Sequence, residues 1–81
     1  METRVAVISI IVSEAEAVAE LNKLLHSYSE YIIVRMGIPY REKQVNIICV
    51  AIDAPQNAIS ALSGRLGRLR GVTSKVAYSN T

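Results

Sequence analysis

The chain predicts an α+β domain with the order β-α-β-β-α-β: four antiparallel strands in one sheet and two helices on one of its faces. Three observations lead there. Runs rich in valine and isoleucine recur at residues 3–12, 31–38, 44–53 and 72–78. Between the first two and the last two lie stretches whose leucines and isoleucines repeat at helical spacing. The middle pair is joined by a polar link short enough for a hairpin.

The first strand covers residues 3–12, with Val5, Val7 and Ile11 on one side and Ala6, Ile8, Ile10 and Val12 on the other. Ser13 and Glu16 follow in the S-x-x-E spacing of a capping box, which starts a helix. Val18, Leu21, Leu25 and Tyr28 form its apolar stripe, while Glu14, Glu20 and Lys23 take other faces. Acidic residues open this helix and His26 lies near its end, as the helix dipole favours. Residues 31–38 make the second strand, which Pro39 is expected to stop; 40–43 connect it to a third strand over 44–53. Asp53 then reads as a cap for the second helix, with Pro55 in the first turn and Gln56 three residues on. Ile59, Leu62, Leu66 and Leu69 are its apolar stripe, Gly71 marks the exit, and 72–78 form the last strand.

This order is the ferredoxin-like arrangement, in which two right-handed βαβ crossovers place both helices on the same side of the sheet. The other side is left open. Yet both parities of the strands are apolar: Ile32, Val34, Met36 and Ile38 against Tyr31 and Ile33, and Val45, Ile47, Cys49 and Ala51 against Ile48, Val50 and Ile52. The sequence does not decide which parity meets the helices. Either way roughly six to eight apolar side chains lie on the open face, and on the order of 10 kcal/mol depends on covering them. A monomer rarely exposes such a patch. The chain is therefore expected to pair with itself through this face, as a dimer or tetramer, with a heterologous partner as the alternative.

The 81 residues make one domain, 1–81, with one core. The balance of 51% hydrophobic and 20% charged residues is that of a globular chain. A net charge of +2 is too weak to argue for nucleic acid by itself. A lone cysteine, Cys49, excludes an internal disulfide and any CxxC motif. Met1 to Arg4 do not open like a signal peptide, and no apolar run approaches the length of a membrane span. A cytoplasmic protein without a membrane partner is the expectation.

The stretch Arg35-Met36-Gly37-Ile38-Pro39-Tyr40-Arg41-Glu42-Lys43 resembles a signature of the small proteins called iron-only hydrogenase system regulators. So do the opening from Arg4 to Val12 and the C-terminal pattern from Ala61 to Val72, so that the resemblance covers essentially the whole chain. It implies an ACT-like domain similar to the effector domain of the nickel-responsive repressor, which assembles as a tetramer. It also implies a regulatory role near the maturation of iron-only hydrogenases. Two departures from the nickel regulator matter. No ribbon-helix-helix segment is expected before the first strand. Nickel ligation there uses several histidines and a cysteine, whereas His26 and Cys49 stand alone here, on different elements. No metal site is carried over, and no cofactor is indicated.

Gly64, Arg65, Gly67 and Arg68, with Arg70 and Gly71, read first as a helix end, where basic residues complement the dipole and glycine supplies the exit. The sharper alternative is an anion site, because glycine lets a ligand approach backbone amides and arginine binds carboxylate or phosphate. Gly37, Tyr40 and Arg41 belong either to a ligand or partner loop or to a bulge and turn. Tyr28 and Tyr31 read as packing residues with wet hydroxyls. His26 reads as a helix-end residue, its symmetric gathering at an interface being the one metal route, and Cys49 as a small core residue.

No nucleophile–base pair or paired carboxylates are apparent, so the chain is not expected to be an enzyme. Nucleic-acid binding by a sheet of this topology relies on aromatics on the central strands. Strands one and three carry none, and direct DNA binding is not expected. The leading reading is a non-enzymatic regulatory module, a homo-oligomer that senses a small-molecule effector or docks on a protein partner.

Overall fold

In the computed structural model, which describes residues 2–80, the chain runs β1 (Arg4–Val12), α1 (Ala17–His26), β2 (Ile32–Tyr40), β3 (Val45–Ala54), α2 (Gln56–Arg68) and β4 (Val72–Tyr78). Short 3-10 turns at Ser29–Tyr31 and Arg41–Lys43 precede β2 and β3. All neighbours are antiparallel, and the sheet order is β2-β3-β1-β4. This is the ferredoxin-like α+β arrangement expected from the sequence.

The structure decides the parity that the sequence left open. Ala6, Ile8, Ile10 and Val12 of β1 and Ile48, Val50, Ile52 and Ala54 of β3 point under the helices. There they join Ala17, Leu21 and Leu25 of α1 and Ile59, Leu62 and Leu66 of α2 in a single core. Register explains the coherence of this layer, because Ile8 lies opposite Val50 and Ile10 opposite Ile48. Residues directly across an antiparallel pair share a face. No polar side chain is buried among the described residues.

Both helix starts differ from the capping expectation. The N-cap of α1 is Glu16, and it makes no side-chain cap bond. Ser13 is used elsewhere: its N–H and its hydroxyl both donate to the Gly71 carbonyl, at 2.7 and 3.2 Å. The serine thus ties the end of β1 to the loop before β4, and a turn with Ala17 N–H donating to the Glu14 carbonyl (3.0 Å) leads into the helix. Asp53 likewise caps nothing. It is still within β3, and Pro55 occupies the N-cap of α2. Gln56 does the fastening. It accepts a hydrogen bond from Arg4 (2.7 Å) and donates to Tyr78 (2.8 Å) and Ser60 (3.2 Å). The Arg4 guanidinium lies 4.3 Å from the centre of the Tyr78 ring.

Pro39 does not stop the second strand, which continues to Tyr40. β2 is an edge strand, where a residue lacking an N–H is tolerated. The turn after it closes with Gln44 in the left-handed region, at φ 54°. Gly71 also has positive φ, 77°, and a Cβ there would lie 2.7 Å from Glu14 Cγ. Gly71→Ala combines a disfavoured conformation with a clash against a side-chain stem. It is expected to destabilise the fold by about 1–3 kcal/mol in urea unfolding. The neighbouring Arg70–Glu14 ion pair, 3.4 Å long with Arg70 almost fully in solvent, adds little of its own.

Candidate functional site

The sheet face away from the helices is the dominant surface. The register places Val5, Val7 and Ile11 of β1, Ile47 of β3, and Val34, Met36, Ile38 and Tyr40 of β2 together on it. All are exposed, Ile38 to 65%. Adjacent isoleucines show the division: Ile48 is 6% exposed and Ile47 45%. Near the centre, a row crosses the sheet through Lys75, Ser9, Cys49 and Met36. Cys49 therefore belongs to the open face and is only half-buried. This corrects its reading as a core residue: the parity that holds the core at Ile48 and Val50 turns the intervening residue outward.

The sequence reading places two charged residues of this face elsewhere or nowhere: Asp53 reads as a helix cap, and Lys75 is not singled out. Asp53 stands opposite Val5 and Lys75 opposite Ser9, both exposed. They are the charged strand side chains of this face among the described residues. The signal that would have found them is strand parity, which the sequence did not settle.

On the helix side, β2 overhangs α1 and leaves a groove. Its floor is small because Gly37 and Pro39 occupy the β2 positions that face α1. A side chain at Gly37 would meet only Ile48 Cγ1, at 3.8 Å, and the Ile47 carbonyl, at 4.0 Å. Arg35 crosses this groove and donates to the Asn22 carboxamide oxygen on α1. Three shallow clefts follow one another along it. One of about 290 Å³ lies by Asn22, His26, Ser29 and Arg35. The next, about 190 Å³, lies by Val18, Gly37 and Asn46. The last, about 400 Å³, lies by Ala15, Pro39, Tyr40, Arg41 and Gln44. Asn22, Arg35 and Asn46 are contributors that sequence reasoning missed, since nothing in their spacing marks them.

Gly37 thus lines the middle cleft along β2, and Tyr40 and Arg41 line the last. Gly64, Arg65, Gly67 and Arg68 all lie on the exposed side of α2, and a Cβ at either glycine would meet open space. α2 packs against β4, at the opposite edge of the sheet from β2, so the two sets do not form one site within a chain. His26 is exposed at the end of α1. Among the described residues no three of His, Cys, Asp and Glu come together as a metal site. Among the described residues no helix is long and apolar enough to cross a membrane.

Comparison with known proteins bears on this geometry. Residues 4–76 match the family model described as "TM1266-like: Iron-only hydrogenase system regulator, putative". Among solved structures, the uncharacterized protein TM1266 from Thermotoga maritima superposes with a TM-score of 0.92 at 37% identity. That match covers 95% of this chain and 98% of the other. A formyltetrahydrofolate deformylase from Pseudomonas putida KT2440 superposes with a TM-score of 0.68 at 12% identity, over 95% of this chain but 29% of the enzyme, a likeness of fold alone. No curated protein matches.

Proposed function

The chain belongs to the TM1266-like family of iron-only hydrogenase system regulators, and from that premise we propose that it is a non-enzymatic regulatory module, assembled from copies of itself and responsive to an effector. The observation that carries the reading is the uncovered apolar face. Val7, Ile11, Ile47, Met36 and Ile38 form a contiguous patch over three strands that the chain's own helices leave bare. A second sheet laid on it would bury that patch. The clefts around Gly37, Tyr40 and Arg41 are the place we assign to a small-molecule effector, because small residues there leave space and Arg35 and Arg41 offer donors. The α2 surface of Gly64, Arg65, Gly67 and Arg68 is the weaker candidate and fits contact with an acidic protein partner.

A nucleic-acid reading finds less support. The open face presents aliphatic side chains on β1 and β3, and among the described residues its one aromatic, Tyr40, sits at the far end of the edge strand.

Two measurements test the proposal. Native mass spectrometry over a concentration series is expected to show a dimer or tetramer, and a clean monomer at micromolar concentration would remove the assembly. Deleting the gene in its host is expected to change iron-only hydrogenase activity severalfold. Unchanged activity would remove the regulatory role.

A further inference from the structure

The open face carries its own instruction for how a second copy lies on it. Asp53 and Lys75 are its charged strand residues among those described, and they are of opposite sign. Asp53 is one strand to one side of Val5, and Lys75 one strand to the other side of Ser9. Strand spacing and rise put them about 16 Å apart, too far to pair within the chain. Two copies laid face to face about a two-fold axis can bring each aspartate over the other copy's lysine, twice by symmetry.

This condition fixes the axis. It must pass through the midpoint between the two residues, which is Val7, since Val7 sits between Val5 and Ser9 on β1. It must also run at right angles to the line joining them. On the lattice of the sheet that course leads across β3, between Ala51 and Cys49, to Met36 on β2. The axis therefore runs along the line from Val7 to Met36, with Val7 meeting Val7 and Met36 meeting Met36, and the row Ile11, Ile47 and Ile38 lies toward the rim, over the edge of the partner's β2. The strands of the two sheets cross at about 70°, nearer the orthogonal than the aligned class. Had the axis led across Thr73 and Lys75, the apolar patch would have stayed wet.

The area suffices. The chain exposes 5570 Å², against about 4,800 Å² for a compact monomer of this mass. A standard interface takes roughly 800 Å² from each partner, a small share of this surface.

We propose that the chain forms an isologous dimer through its open sheet face, with reciprocal Asp53–Lys75 pairs setting the register and near-orthogonal crossing. This rests on the self-assembly reading above and adds the orientation. The test is a charge swap, read by analytical ultracentrifugation in a dilution series with circular dichroism as the check on folding. Asp53→Lys and Lys75→Asp each set like charges against each other and are expected to weaken dimerisation roughly tenfold or more. The double variant restores opposite charges and is expected to return within about threefold of the wild type. A wild-type dimer that the single variants leave unchanged, or that the double variant fails to restore, would overturn the register and leave face-to-face assembly standing. A wild-type monomer would overturn both.

Discussion

Ile10→Asp is expected to leave no folded protein. Ile10 is fully buried, in the layer that β1 presents to both helices, and no polar side chain accompanies it in the core. A domain of this length has about 4–12 kcal/mol of stability in total. An unpaired carboxylate in an apolar interior costs an amount of that order or more before it neutralises. Circular dichroism should show no cooperative thermal transition. Ile10→Ala provides the graded version: it removes buried methylenes and leaves a cavity, and it is expected to cost about 2–5 kcal/mol in urea unfolding. A loss below 1 kcal/mol for the alanine variant would mean that the core is not organised around this residue.

Ile47→Asp is expected to do the opposite. Ile47 is next in sequence to the buried Ile48, yet it lies on the open face beside Ile11 and Ile38. In the single chain the substitution replaces a half-exposed β-branched residue of a central strand, so the intrinsic stability of the monomer should fall by only about 1 kcal/mol. In the assembly it sets a charge against the apolar edge of the partner's β2, and the dissociation constant should rise roughly tenfold or more. The expected species is a folded monomer with the circular dichroism spectrum of the wild type. An unchanged oligomer would show that copies meet elsewhere. Paired with the variants of Ile10, this substitution separates what holds the chain together from what holds copies to each other.

These contrasts show what the sequence contains and what it withholds. The order of elements was legible because turn and helix signals interrupt the valine and isoleucine runs, and the last strand has the expected bounds, Val72–Tyr78. The choice of core parity was not legible, because Ile47 and Ile48, or Ile10 and Ile11, are alike as residues and differ only in which side the helices cover. The misread caps have a common physical origin. Ser13 and Asp53 have the residue type and spacing of helix caps, but each stands at the end of a central strand, and tertiary pairing claimed them first. Pro39 misled in the same way, since whether a proline ends a strand depends on whether that strand is an edge. Of the candidate site residues, Gly37, Tyr40 and Arg41 proved to share a groove. The contribution of Asn22 and Asn46 to it depends on the packing of α1 over β2 and β3, which no local pattern encodes.

The sheet order has a consequence for how quickly the domain can form. β1, nearly the first segment of the chain, lies between β3 and β4, and its pairing with β4 joins Ala6 to Tyr78 and Val12 to Val72. Contacts so distant along the chain are reached only after a long loop has closed, so folding belongs to the slower range, milliseconds rather than microseconds. Until β4 docks, β1 offers a bare edge of valine and isoleucine between two apolar faces, which is the template on which unfolded chains associate. Refolding yield should therefore fall as protein concentration rises, and β4 is the segment whose arrival ends that exposure.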